Sequence, residues 1–134
     1  MYQIPDDPSV LIVEQEPASL ILLDALFRNN GFRTLLARSA AEAAEIVARP
    51  YVPVDAVLTG IEIMRDRGAE LMNPLWRDRP DVPVVFLSAI LEAGAIRIKL
   101  MRQIGLKYFA DAEGAGVIEA VRAAISVARL HACT

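Results

Sequence analysis

Residues 54–64, VDAVLTGIEIM, combine the pattern of a buried strand with a glycine at the strand's end. The run 55–59 is short and mostly apolar, and Gly60 follows it at once. Such a run is typical of a central strand covered on both faces, where polar and apolar residues need not alternate. Ligands of parallel α/β sheets bind beyond the carboxyl ends of the strands. A residue without a side chain is therefore predicted where such a protein places its chemistry.

The rest of the chain repeats a short apolar strand followed by an amphipathic helix. Further strands are predicted at residues 10–13, 32–37, 84–87 and 107–110. Helices are predicted from Pro17 to the Asn29–Gly31 stop, at 40–49 after a capping-box pair of Ser39 and Glu42, and at 68–77. A fourth helix ends at Gly105, and a last helix carries the apolar stripe Val117, Val121, Ala124, Ile125 and Ala128. Five strands alternating with five helices predict one parallel sheet with helices on both faces.

Composition narrows the class of protein. The 134 residues, 54% of them hydrophobic, suffice for one core, so we predict a lead-in at 1–8, one domain at 9–130 and a tail at 131–134. The net charge is −3 with scattered arginines, which indicates no nucleic-acid surface. Apolar runs fall short of the roughly 20 residues of a membrane span, and no leader pattern opens the chain. With Cys133 as the single cysteine, a cytoplasmic domain without an internal disulfide is expected.

Five segments together resemble the receiver domain of two-component response regulators, over residues 9–130. They are VLIVEQEP (10–17), GFRTLLARSAAEAAEIV (31–47), DAVLTGIEIM (55–64), RPDVPVVFLSA (79–89) and IGLKYFADAEG (104–114). The resemblance implies an α/β, flavodoxin-like (βα)5 fold. Its doubly wound, parallel, five-stranded sheet would have the strand order 2-1-3-4-5.

The resemblance also assigns the family's chemistry to positions of this sequence. Two adjacent acids after the first strand hold Mg²⁺ in receivers, and the matching residues are Glu14 and Gln15. The phosphoacceptor aspartate at the end of the third strand is matched by Gly60. Phosphoryl transfer needs a carboxylate oxygen in line with phosphorus and a cation to gather charge. Glycine supplies no nucleophile, and residues 57–61 contain no acid.

Three more family positions complete the implied site. The switch hydroxyl is matched by Ser88, the switch aromatic by Phe109 and the conserved lysine of the family by Ala112. The chain is therefore interpreted as a degenerate, aspartate-less pseudo-receiver that is not phosphorylated. Mg²⁺ binding is expected to be weak or absent, with no other cofactor, and no enzymatic turnover is expected because no acid–base pair or activated nucleophile converges at the strand ends.

Other interpretations of the site stay open at this point. Glu62 or Asp66, predicted on the loop after Gly60, could serve as substitute acceptors in a genuine phosphoreceiver, although solvated surface acids are the simpler interpretation. The crevice vacated near Gly60 and Ala112 could instead hold a small ligand. Gly60 could also be a close-packing glycine of an unrelated α/β protein.

The signal is expected to pass through contact with a protein partner, since no DNA-binding or catalytic output segment is expected after the last helix. The partner would be a histidine kinase, another regulator or a second copy of the chain, with no nucleic acid and no membrane. Receivers commonly pair through the face of the fourth helix, fifth strand and fifth helix. On that face we predict a contact, including a homodimer contact, bordered by Ile98, Arg102, Lys107 and Arg122.

Overall fold

A four-stranded parallel sheet forms the centre of the protein. The structure is a computed structural model that describes residues 7–87 and 115–132. Its strands are β1 (Ser9–Val13), β2 (Arg33–Ala37), β3 (Ala56–Gly60) and β4 (Val84–Leu87). They lie in the order β2-β1-β3-β4, which confirms the predicted α/β fold for the first four strands. The predicted fifth strand and fourth helix lie outside the described residues.

Four helices accompany the sheet: α1 (Pro17–Arg28), α2 (Ala40–Val47), α3 (Ile61–Asp78) and α4 (Ala115–Ala132). α4 is the helix predicted to be the last of five. Pro17 opens α1, where its missing N–H is not needed, and Gly31 follows the helix with φ 85°. Ser39 Oγ accepts a hydrogen bond from the Glu42 backbone N–H at 3.1 Å. The predicted cap of α2 is therefore present, although Glu42 Oε1 accepts from the Arg38 N–H rather than from that of Ser39.

The two faces of the sheet are covered by different helices. Strand residues that alternate along the sheet, including Leu11 and Val57, pack with α2 and α3. Their neighbours Ile12 and Leu58 pack with α1 and α4 on the opposite face. All residues of β1 and β3 are buried, which explains why neither strand shows polar–apolar alternation.

The third helix begins seven residues earlier than predicted. The sequence predicts it at 68–77, whereas α3 starts at Ile61, directly after the last residue of β3. No glycine or proline occurs between residues 61 and 67, so the local sequence does not stop a helix there. Arg67, at φ −138° and ψ 29°, interrupts the helical geometry and divides α3 into two segments. The functional end of the sheet is therefore bordered by a helix and not by a long loop.

Arg79, the residue after α3, donates hydrogen bonds to backbone carbonyls at and just after the C-terminal end of α2. Its Nε donates to the Val47 carbonyl at 3.2 Å and its Nη2 to the Arg49 carbonyl at 2.6 Å. Carbonyls at the end of a helix have no partner within the helix, and a charged donor satisfies them well.

We expect Arg79→Ala to lower the free energy of unfolding by about 1–2 kcal/mol, measured by urea denaturation. Arg77→Ala is the matched control: Arg77 forms an exposed ion pair with Asp78, and such a pair contributes little, so an unchanged midpoint is expected.

Candidate functional site

The candidate site lies where β1 and β3 end side by side. The two strands are paired in parallel, with Val13 opposite Thr59. Glu14 follows β1 and Gly60 is the last residue of β3, so the sheet brings these two sequence-predicted positions together. The Glu14 backbone N–H donates to the Ala37 carbonyl at 3.0 Å, which fixes the start of this connection against β2.

Gly60 is buried, and its backbone has φ −72° and ψ 151°, an extended conformation open to any L-residue. It is the N-cap residue of α3, with no side chain to bond the first amides of that helix. A Cβ added to Gly60 would lie 3.2 Å from Glu14 Oε1. That contact is tight, but the Glu14 carboxylate is the end of a flexible side chain. Neither the backbone nor a rigid neighbour therefore requires glycine here.

The Glu14 carboxylate occupies the space beside Gly60. Glu14 Oε2 accepts a hydrogen bond from the Glu16 backbone N–H at 3.0 Å, at the start of α1. Its other oxygen, Oε1, faces the position of the missing Gly60 Cβ. Gln15, the second residue of the predicted metal pair, is exposed. Of that pair, only Glu14 is shown to place a side-chain oxygen at the end of β3.

Glu62 comes close to the same point. Its Oε1 would lie 4.0 Å from a Cβ at Gly60. The sequence predicted a loop here, but α3 begins at Ile61, so Glu62 lies in the first turn of that helix. Asp66 also lies within α3. Two carboxylates, one from the end of β1 and one from the start of α3, therefore border the space next to Gly60. The N-terminus of a helix favours negative charge nearby.

Thr59 is a buried polar residue next to Gly60 and is not among the predicted site positions. It is fully buried, and its Oγ1 donates to the Gly60 carbonyl at 3.3 Å, a long hydrogen bond. A hydroxyl within an otherwise apolar central strand is the sequence signal for such a residue. Thr59 therefore occupies one lone pair of the carbonyl oxygen that Gly60 could offer to a ligand.

The sequence matches a known protein family over most of its length. A family model described as "Response regulator receiver domain" matches residues 10–110. The chain belongs to the response regulator receiver domain family. It is thus a receiver module of two-component signalling. A comparison with curated protein sequences found no significant match.

Solved structures from other organisms share the fold of this receiver. A receiver domain protein from Clostridium thermocellum is 19% identical, with a TM-score of 0.77, covering 92% of this chain and 98% of that one. A sensor protein from Polaromonas is 26% identical, with a TM-score of 0.73, covering 90% and 98%. The receiver domain of a sensor histidine kinase from Pseudomonas aeruginosa, solved with a magnesium ion coordinated in its active site cleft, is 18% identical, with a TM-score of 0.74, covering 90% and 98%.

Most of the remaining predicted positions of this receiver fall outside the described residues. These are Ser88, Phe109 and Ala112 of the site, and Ile98, Arg102 and Lys107 of the predicted contact face. Arg122 is described, and it makes contacts within the chain. Its Nη2 donates to the Asn30 carbonyl at 2.7 Å, and its guanidinium lies 5.7 Å from the centre of the Phe32 ring. Arg122 thereby joins α4 to the connection between α1 and β2.

Two clefts in the described part of the receiver lie away from Gly60. One, of about 160 Å³, is lined by residues that include Val54, Asp55 and Arg129 near the start of β3. The other, of about 570 Å³, lies between the ends of α2 and α3. Within residues 7–87 and 115–132, no three His, Cys, Asp or Glu side chains are grouped to hold a metal ion. In the same ranges, no helix is both long enough and apolar enough to span a membrane.

The opposite end of α3 carries an exposed ion pair. Arg77 Nε lies 3.1 Å from Asp78 Oδ1, and a second bond joins Nη2 to Oδ2 at 3.2 Å. The hydrogen bond from Arg77 lowers the pKa of Asp78, and the same bond raises the pKa of Arg77. Both side chains are exposed at the last turn of α3, so this pair takes no part in the site at the first turn.

Proposed function

We propose that this receiver does not accept a phosphoryl group and signals through protein contacts. The observation that carries the proposal is Gly60 at the end of β3, where the resemblance to receivers expects the acceptor aspartate. Glycine offers no oxygen to attack phosphorus. Because the backbone at Gly60 would accept an aspartate, the missing nucleophile is a property of the sequence at this position and not of a strained fold.

The donor set also fits Mg²⁺ poorly. The ion requires near-octahedral oxygen ligands and is usually held by one or two carboxylates together with water. Glu14 supplies one carboxylate next to Gly60, but that carboxylate already accepts the Glu16 amide. Gln15 is neutral and exposed, and the Gly60 carbonyl already accepts the Thr59 hydroxyl. Mg²⁺ bound here would neutralise negative charge on a phosphoryl group. We expect Glu14, Gln15 and Gly60 to bind the ion weakly.

Incubation with acetyl phosphate and Mg²⁺ tests the proposal directly. We expect the intact mass of the protein to remain that of the unmodified chain, because glycine stands at the position of the acceptor aspartate. A triple variant, Gly60→Asp with Gln15→Asp and Ala112→Lys, is the matched positive control. It restores the acceptor, the second metal ligand and the cation that the resemblance assigns to these positions, and it is expected to gain one phosphoryl group.

A second candidate is a receiver that uses a substitute acceptor, and the position of Glu62 favours it. Its carboxylate reaches to 4.0 Å from where a Gly60 Cβ would lie. If the wild-type protein gains a phosphoryl group that Glu62→Gln removes and Glu45→Gln does not, this candidate replaces our proposal. Glu45 is a suitable control because it is an exposed glutamate on α2, whereas the carboxylates beside Gly60 come from the end of β1 and the start of α3.

A further inference from the structure

The exposed face of α1 is apolar along its length. Ile21 and Leu22 are 68% and 70% exposed, and Ala18 and Ala25 are also exposed. The four residues have the i, i+3, i+4, i+7 spacing of one helix face. We call them the α1 face. The exposed side of α2 carries the charged residues Glu42 and Glu45 instead, as is usual for a helix face in contact with water. The α1 face is therefore unlike an ordinary water-facing surface.

Edge strand β2 extends this apolar surface. Leu36 is 40% exposed and pairs with Ile12, whose side chain lies on the sheet face covered by α1. Thr34, two residues earlier on the same side of β2, donates to Asp24 of α1 at 2.6 Å. By its register with Ile12, Leu36 lies on the side of the sheet that α1 covers. Three of the large exposed apolar side chains are thus gathered on one side of the molecule.

We propose that the α1 face binds a second copy of this chain, with the two α1 helices antiparallel. Along α1 the face has a small residue, two large residues and a second small residue. Ala18 lies three positions before Ile21, and Ala25 lies three positions after Leu22, so the pattern is the same from either end. A two-fold axis through that midpoint sets Ile21 against Leu22 of the partner copy and Ala18 against Ala25. Small residues at both ends allow the two helices to approach closely, and such an interface is self-complementary.

The charges at the ends of α1 select the same arrangement. The N-terminal end has Glu16 at the cap and no basic residue in its first turn, whereas Arg28 lies in the last turn, where it is 67% exposed and pairs through Nε with Asp24 at 3.1 Å. Antiparallel helices place the acidic end of one copy beside the basic end of the other, and they also oppose the helix dipoles favourably. A parallel arrangement would bring like charges together. A second copy therefore matches both the apolar pattern and the charges.

The area available indicates a weak dimer. The apolar side chains of this surface expose on the order of a few hundred Å², less than the roughly 800 Å² per partner of a standard stable interface. An interface of this size indicates weak association, so the dimer is expected at high protein concentration. The proposal rests on the proposed function in taking protein contact as the means of signalling. Its test measures association and is independent of the phosphorylation assay, so the two can fail separately.

Sedimentation velocity of the full chain from about 10 µM to about 1 mM tests the dimer. The wild-type protein is expected to change from monomer to dimer across this range. Leu22→Glu is expected to remain a monomer, because each copy would place a buried charge at the centre of the interface. Leu130→Glu is the matched control, since Leu130 is 67% exposed but lies on α4, and it should dimerise like the wild type. A monomeric wild type, or equal effects of the two variants, would overturn the proposal.

A charge exchange tests the antiparallel orientation. Glu16→Lys alone makes both ends of α1 basic, and Arg28→Glu alone makes both ends acidic, so each variant should self-associate about tenfold more weakly. An equimolar mixture of the two variants restores opposite charges at both ends and should associate nearly as well as the wild type. If the mixture associates no better than the separate variants, the antiparallel arrangement is wrong. If Ile98→Asp abolishes the dimer and Leu22→Glu does not, the copies pair through another face.

Discussion

We expect Phe27→Ala to lower the free energy of unfolding by about 3–5 kcal/mol, a large part of the stability of a domain of this size. Phe27 is fully buried between α1 and the sheet. Its ring meets that of Phe32 edge-on, with centroids 5.0 Å apart and planes at 76°. Truncation to alanine leaves a cavity and removes this aromatic contact, and both effects destabilise the folded protein.

The consequences of losing Phe27 should extend beyond α1. Phe32 is also the ring over which Arg122 of α4 lies, so the Phe27 side chain supports a contact between three elements. Urea denaturation followed by circular dichroism measures the change. Phe27→Leu retains most of the volume and is expected to cost about 1 kcal/mol. Leu22→Ala, on the exposed side of the same helix, is expected to change stability by less than about 0.5 kcal/mol.

A loss below about 1 kcal/mol for Phe27→Ala would show that α1 is not docked through this ring. That result would also remove the basis for the α1 face, because the exposure of Ile21 and Leu22 follows from burying the opposite side of the helix. The stability experiment and the sedimentation experiment therefore examine the two sides of one amphipathic helix.

The strands could be predicted from the sequence because short apolar runs in a parallel sheet are buried on both faces. Residues 10–13 and 84–87 were predicted as strands and are strands in the structure. Strand order followed from the resemblance to receivers and is confirmed for β1 to β4. Local signals also predicted the start of α1 at Pro17 and the Ser39 cap of α2, since both depend on residues adjacent in sequence.

The start of α3 could not be predicted in this way. Its position decides whether Glu62 lies on a loop or on a helix beside Gly60. A glycine after a strand predicts a break followed by a loop, but Gly60 adopts an ordinary extended conformation and is the N-cap residue of α3. Glu62 consequently lies in the first turn of α3, next to the site. The contact of Arg122 with the Asn30 carbonyl joins residues 92 positions apart. No local pattern encodes such a contact, so the sequence predicts Arg122 only as a residue at the border of a protein contact and does not predict its bond within the chain.

The second large effect is expected at Gly60 itself. We expect Gly60→Asp to be less stable than Gly60→Asn by about 1–2 kcal/mol at pH 7 and low salt. The two side chains have the same shape and cap helices equally well, so their difference isolates the charge. The new carboxylate would lie beside that of Glu14, whose Oε1 is 3.2 Å from the added Cβ. Like charges 4 Å apart repel by about 1 kcal/mol in water and about 4 kcal/mol at a partly buried site.

The dipole of α3 opposes this repulsion, because negative charge at a helix N-terminus gains about 0.3–1 kcal/mol. Repulsion should still win, since Glu14 is only partly exposed and Glu62 adds a second carboxylate nearby. Adding Glu14→Gln to both variants supplies the decisive control: the glutamine can still accept the Glu16 amide, but its charge is gone. If the difference between aspartate and asparagine persists unchanged in the Glu14→Gln background, the Glu14 carboxylate does not occupy the space left by the missing acceptor. A difference that shrinks there, and also shrinks in high salt, establishes that Glu14 holds the charge that an acceptor aspartate would have to share.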